Sequence, residues 1–246
     1  RSTPLYSSAA SDVYKRQEYV TTLAEEKGLE SYVFDLSNVD DIAEHLNSIS
    51  VMANCAGPFS KTAKPMMEAC IKTHTHYVDI TGEISVYELG HSLDASARSA
   101  GIVICPGVGF DVIPTDCLAV YLKDKMPDAT HLALGFAMKG SKPSKGTAKT
   151  GAEGMSLGGK VRVNGEMKKV PLAYKEREID YGFGAINVIT IPWGDVYTAY
   201  HSTGIPNIEV YFPQSPKGAA QIRKRQKYMN CLLYTSPSQR DATLSR

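Results

Sequence analysis

Four short apolar runs recur through the first half of the chain: Ser31–Phe34, Val51–Asn54, His76–Ile80 and Ile102–Cys105. Between them lie segments whose apolar residues repeat at helical spacing. Ile42, Leu46 and Ile49 share one face, and Met66, Met67, Cys70 and Ile71 share another. Val86, Leu89, Leu93, Ala97 and Ala100 make a third, longer stripe. A strand that returns through a helix to its neighbour pairs in parallel, and such crossovers are right-handed. The alternation therefore predicts an α/β fold with a doubly wound, Rossmann-type parallel sheet. Ile102–Cys105 is apolar throughout, as expected of a strand covered on both faces.

The punctuation agrees with this reading. Asn38 suits an N-cap, with Asp40 and Asp41 near the positive helix end. Gly28 and Gly101 suit helix termini, and Pro65 a first helical turn. Pro114 opens a helix with Leu118, Tyr121, Leu122 and Met126 inward, and Pro127 closes it. After about residue 129 the pattern changes. His131–Met138 reads as a strand, 140–144 as a loop and Lys145–Leu157 as a helix. Asn164-Gly165 between Val161–Val163 and Met167–Val170 is a strong hairpin signal. Ala185–Ile191 and Ile208–Phe212 read as further strands, giving a smaller α+β domain with a mostly antiparallel sheet.

Residues 1–17 and 231–246 show no core pattern and resemble translated adapter sequence. The expected organisation is thus a foreign or disordered tail (1–17), a partial dinucleotide-binding domain (18–129), a substrate or dimerisation domain (130–230) and a second tail (231–246). No strand with a G-x-G-x-x-G turn opens the sheet, so the first βα unit is expected to be missing and the chain truncated. Gly107-Val108-Gly109 follows a strand but lacks the third glycine, and Met138-Lys139 at the next strand end offers no acid for a ribose. It therefore reads as a later strand-end loop.

Several function classes are disfavoured. The formal net charge of +1 gives no global field for nucleic acid or a membrane surface. No apolar run approaches the roughly 18 residues that span a bilayer. Five cysteines with no C-x-x-C pair fit reduced thiols in a cytoplasmic protein better than disulfides or zinc. His74 and His76 share a turn without a completing ligand, so no metal is expected.

In open α/β sheets, ligands bind where strand ends give way to loops. Asn54-Cys55-Ala56-Gly57-Pro58-Phe59 is such a loop. Gly57 allows close approach and Pro58 stiffens the turn, so the loop suits the nicotinamide half of a dinucleotide, or is an ordinary strand-to-helix turn. Asp35-Leu36 stands at a strand end where an adenine ring could lie, or where an acid simply faces water. Tyr121 and Lys125 form the Y-x-x-x-K of a short-chain dehydrogenase, but no serine completes the triad, and a core tyrosine beside a surface lysine is the stronger reading. His201, in a polar stretch between Tyr200 and Ser202, is the candidate general acid, with a structural histidine equally admissible. Ten cations against three acids between residues 138 and 177 give a local net of +7, which matches an anionic substrate or a solvated basic face.

Three motifs in order, Asn54–Phe59, His76–Glu83 (HYVDITGE) and Pro106–Asp111 (PGVGFD), resemble the saccharopine dehydrogenase-like oxidoreductases, which include trans-acting enoyl reductases. The similarity runs roughly from Glu18 to Phe212, and the turn Pro192–Asp195 resembles that family's second domain. The resemblance implies NADP or NAD as cofactor and a small-molecule substrate, with hydride transfer to or from an unsaturated, carbonyl or imine group. It implies that Asn54–Phe59 and Thr81, Gly82 and Glu83 line the nicotinamide and ribose side, with Gly107 at the next strand end. A homodimer is an open expectation. Without the opening glycine turn, activity of this chain is expected to be impaired. The alternatives are a non-catalytic binding or scaffold protein and a short-chain-type reductase.

Overall fold

The computed structural model describes residues 13–32, 34–36, 38–138 and 158–235. The loop and helix expected over 140–157 lie outside them. The chain divides into two compact units: residues 1–127 with 193–204, and residues 128–192 with 205–246. Segment 193–204, read from sequence as part of the second half, clusters with the first unit.

The first unit holds a parallel sheet of three strands, β1 (Val51–Asn54), β2 (His76–Asp79) and β3 (Ile104–Cys105), in that spatial order. Its helices are α1 (Val13–Glu26), α2 (Val39–Leu46), α3 (Phe59–Thr73), α4 (Ile84–Ser92), α5 (Asp94–Ser99), α6 (Ile113–Lys125) and α7 (Asp195–Thr203). Register pairs Met52 with Tyr77, and Tyr77 with Ile104, which puts these three on one face. That face packs on Ile42 and Leu46 of α2, Met66, Met67 and Cys70 of α3, and Val86 of α4. Burying a side chain such as Met67 completely stabilises the fold by roughly 1.5–3 kcal/mol. Cys70, sealed in this core, has its thiol pushed up to about 12 by burial.

Several sequence expectations are corrected in this unit. The strand expected at Ser31–Phe34 does not form among the described residues, which run as irregular chain. A strand exists by pairing, and no ladder partner reaches it. The second sheet face is not covered: Val51 is 53% and Val103 58% exposed, and Ala53 and Cys105 are exposed too. β1 and β3 are therefore not buried strands, and β3 is only two residues long. Pro65 lies inside α3 rather than in its first turn, and the helix expected from 84 to 100 breaks at Leu93 into α4 and α5. Helix α1 begins at Val13, within the stretch expected to be a tail. Asn38 does cap α2, its side chain accepting from the amides of Asp40 and Asp41.

The second unit holds β4 (His131–Gly135), β5 (Gly159–Val163), β6 (Glu166–Val170), β7 (Glu176–Asp180), β8 (Ala185–Ile191) and β9 (Asn207–Pro213), followed by α8 (Pro216–Thr235). The sheet order is β6-β5-β9-β8-β7, and β4 adds to β9 in parallel, the one parallel pairing among the described strands of a mostly antiparallel sheet. Asn164 and Gly165 turn the β5–β6 hairpin with φ of +51° and +81°, as a two-residue turn with both φ positive requires. Strand β7 carries Glu-Arg-Glu-Ile-Asp and sits at the sheet edge, where charges replace the apolar alternation that would announce it.

At least four of the six described cations of the basic run have partners within the chain. Lys139, Lys142, Lys145 and Lys149 lie outside the described residues. Arg162 is buried and donates to the Gly165 carbonyl at 2.7 Å. Lys168 pairs with Glu166, Lys175 with Glu209, and Arg177 lies over the Tyr211 ring.

Candidate active site

The carboxyl ends of β1, β2 and β3 are joined by a buried polar chain within the first unit. Asp79, 1% exposed at the end of β2, is its centre. Its Oδ1 accepts from the amides of Thr81 (3.0 Å) and Gly107 (2.8 Å), and its Oδ2 from the Tyr77 hydroxyl (2.7 Å). Asn54 Nδ2 donates to Tyr77 OH and Thr62 Oγ1, both at 3.2 Å, while Oδ1 accepts from the Ala56 amide. Thr62 in turn donates to the Ala56 carbonyl at 2.6 Å. The 54–58 loop is thus folded back onto α3 by its own side chains. Burial holds both the Tyr77 and the Asp79 proton affinities up, since no cation lies among their partners.

Glu83 ties the second loop to the first. Its two carboxylate oxygens accept from the amides of Phe59 and Ser60, each at 2.9 Å, at the start of α3. A carboxylate there satisfies first-turn donors and complements the helix dipole. Thr81 accepts from the Glu83 amide through its hydroxyl and from Tyr87 OH through its carbonyl. Glycine is required at two adjoining places. Gly107 has φ +74° and a methyl there would stand 2.0 Å from the Tyr87 hydroxyl; a methyl at Gly82 would stand 2.6 Å from Asp111 Oδ2. Asp111, in the turn that leads to α6, thereby faces the Gly82 loop. Burial raises its carboxyl to about 6.

Of the residues singled out from sequence, Asn54–Phe59, Thr81–Glu83 and Gly107 are brought together. Cys55 and Gly57 are exposed at the rim, while Asn54 is sealed beneath it. Asp35 and Leu36 are not tied into this network: the Asp35 amide donates to Asp41 and Leu36 packs against the α2–α3 core. His201 lies on helix α7, not in a loop. Its exposed ring sits 4.9 Å from that of His91 and 4.7 Å from that of Tyr197. Tyr121 is 58% exposed with Lys125 over its ring, so it is neither a core residue nor set among the strand-end loops. Sequence reasoning missed Asp79, Tyr87 and Asp111 as site residues. For Asp79 the signal was available, because period-two alternation in His76–Asp79 puts Tyr77 and Asp79 on the same buried face.

Residues 9–105 match the family model described as the saccharopine dehydrogenase NADP binding domain. Over these residues the chain is similar to that domain. The match to the NADP binding domain covers all three parallel strands and starts inside the stretch read as a tail. A saccharopine dehydrogenase-like oxidoreductase of Bos taurus is 31% identical over 61% of this chain and 37% of its own length. A trans-acting enoyl reductase of Mycobacterium leprae is 31% identical over 36% of this chain and 21% of its own length. The chain therefore spans about a third of the length of the first curated relatives it matches. A probable mitochondrial saccharopine dehydrogenase-like oxidoreductase of Arabidopsis thaliana is 30% identical over 33% of this chain. In fold, an apo saccharopine dehydrogenase (L-Glu forming) of Saccharomyces cerevisiae covers 89% of this chain and 51% of its own, with TM-score 0.61 at 13% identity. No described helix is long and apolar enough to cross a membrane.

The residues at the strand ends fit one half of the NADP that this domain's name implies. Gly57 is exposed and leaves its backbone open to a flat ring, while the side of Gly82 where a Cβ would stand is filled by Asp111. The start of α3 does not fit a phosphate, because Glu83 already occupies the amides of Phe59 and Ser60.

Proposed function

We propose that the chain carries the nicotinamide side of an NADP- or NAD-dependent oxidoreductase that moves a hydride to or from an unsaturated, carbonyl or imine substrate. The observation that carries this is the convergence of Asn54–Phe59, Thr81–Glu83, Gly107 and Asp111 at three successive strand ends. The bound cofactor supplies the hydride. The protein holds the ring against the Gly57 backbone, beside the Gly82 loop that Asp111 faces, and supplies a proton. Asp111 is the better-placed donor: its carboxyl faces the Gly82 loop and is raised to about 6, within reach of both protonation states near neutrality. His201, on α7 beside His91, is the second candidate. The pyrophosphate is held by groups other than the α3 amides. An anionic substrate, a homodimer and residence in the cytoplasm belong to the same proposal; the described cysteines Cys55, Cys70, Cys105 and Cys117 are all free thiols.

The test is NADPH oxidation against a panel of carbonyl, imine and enoyl compounds. Asp111→Asn is expected to lower kcat roughly 100-fold with KM little changed, and His201→Gln to leave both near wild type. Loss confined to His201→Gln would move the proton donor to α7. A second reading, a non-catalytic module that retains the fold, is favoured by the closure of the α3 start by Glu83. It is supported if calorimetry finds no heat of binding for NADPH or NADH.

A further inference from the structure

The seam between α6 and α7, inside the first unit, is polar where helix seams are ordinarily apolar. Asp195 opens α7 and is completely buried. Its Oδ1 lies 2.5 Å from Thr115 Oγ1 of α6, and its Oδ2 is buried with no hydrogen-bond partner. A second link runs the other way: Ser202 of α7 meets Asp116 Oδ2 of α6 at 2.6 Å, and Asp116 Oδ1 is again buried without a partner. Thr198, between Asp195 and Ser202 on α7, has a buried hydroxyl with no partner either. No cation appears among the partners of either carboxyl.

One placement of the hydroxyl hydrogen satisfies both contacts of Thr115. Thr115 Oγ1 is 3.1 Å from the Val112 carbonyl as well as 2.5 Å from Asp195. A hydroxyl has one hydrogen to donate, and a carbonyl can only accept. Both contacts are hydrogen bonds when Thr115 donates to Val112 and accepts from a protonated Asp195. An ionised Asp195 would be a buried charge with Thr115 and its own backbone amide as donors, one oxygen unpaired, no cation, and Asp116 and Asp111 as like-charged neighbours, an arrangement that burial disfavours.

The clasp bears on the candidate site through Val112, the residue after Asp111. Gly194, just before Asp195, has no room for a methyl: it would stand 2.7 Å from the Tyr87 ring and 2.8 Å from Val112 Cγ1. The Val112 amide donates to the Gly107 carbonyl, closing the turn that carries Asp111. We propose that Asp195 is a positioning residue, a neutral carboxyl that clasps α7 to the start of α6 through Thr115 and so fixes the Val112 turn that aims Asp111. This rests on the reading of Asp111 as proton donor for its catalytic consequence, but not for the clasp itself.

The sign of the pH dependence follows. Burial raises the Asp195 carboxyl from 3.8 to about 7. The stability it contributes is complete below its unfolded value, erodes as pH rises, and is gone once pH passes the folded value. The groups facing it are Thr115 and Asp116 from α6, Asp111 from the preceding turn and Tyr87 from α4; His91 and His201 pair further along α4 and α7. Asp111 titrates in the same direction, so the wild-type slope alone is not diagnostic and the variant difference is.

The experiment is thermal unfolding of the full chain between about pH 5 and pH 8, for wild type, Asp195→Asn, Asp195→Ala and Thr115→Val, beside the pH profile of NADPH oxidation. Asp195→Asn keeps a neutral group that can donate to Thr115. Its Tm is expected to exceed the wild-type value by a margin that grows from about pH 5 to about pH 8 and reaches several degrees. Asp195→Ala and Thr115→Val are expected to lose Tm at about pH 5, the Asp195→Ala loss shrinking toward about pH 8, and Asp195→Ala to lower kcat with KM little changed, restored by Asp195→Asn. A Tm slope in Asp195→Asn equal to that of wild type would overturn the neutral clasp. Equal kcat in Asp195→Ala and wild type would overturn the positioning role. Absence of any hydride transfer would count against the proposed function while the unfolding comparison still reads the clasp.

Discussion

Tyr77 is the residue on which the strand ends turn. Its hydroxyl donates to Asp79 and accepts from Asn54, so one phenol oxygen couples β1 to β2 and, through Asp79, to the Gly107 loop. Tyr77→Phe keeps the packing and removes the link, leaving Asn54 Nδ2 with Thr62 alone and Asp79 Oδ2 without its donor. The expected cost is about 1–3 kcal/mol in denaturant unfolding, because buried groups are left unpaired. A change below about 0.5 kcal/mol would mean that water replaces the hydroxyl. The loop residues Asn54, Gly82 and Glu83 were legible in sequence, because they sit where apolar runs end. The role of Asn54 was not. A rim residue that touches ligand and a sealed residue that folds the loop look the same in one dimension, and only burial separates them.

At the scale of the element, α3 shows why a helix start in this fold is not automatically an anion site. Glu83 spends both oxygens on its first-turn amides. Glu83→Gln keeps one acceptor and removes the charge, and should destabilise the unit by about 1 kcal/mol while leaving one of those amides open to an anion. Sulfate-dependent stabilisation seen in the variant and not in wild type is the expected sign. Equal sulfate response in both would show that Glu83 does not guard the helix start. Helix α6 was misread for a related reason. Leu118, Tyr121, Leu122 and Met126 make an apolar stripe at helical spacing, yet all are exposed, and α6 buries Ala119. Its packed side carries Thr115 and Asp116, whose polarity argued for solvent. Helix α7 was overlooked although Val196, Ala199 and Thr203 repeat at helical spacing and Gly204 closes it in the left-handed region at φ +68°. There the polar residues between them masked the period.

At the scale of the molecule, the α/β class and the change of character near residue 129 were readable. Parallel βα units demand apolar runs separated by helices, and the Asn164-Gly165 hairpin announces an antiparallel sheet. The bare face of the first sheet was not readable, because what covers a strand is set by neighbours remote in sequence. Since the NADP binding domain match spans residues 9–105 and relatives are longer, the central claim concerns one end of a cofactor rather than a whole reaction. Saturation-transfer difference NMR with NADPH tests it most directly, since it reads which cofactor protons touch the protein. The expected result is strong saturation of the nicotinamide ring protons, weak saturation of the adenine protons, and loss of the nicotinamide signal in Gly57→Val. Saturation centred on the adenine, or a nicotinamide signal untouched by Gly57→Val, would contradict the account.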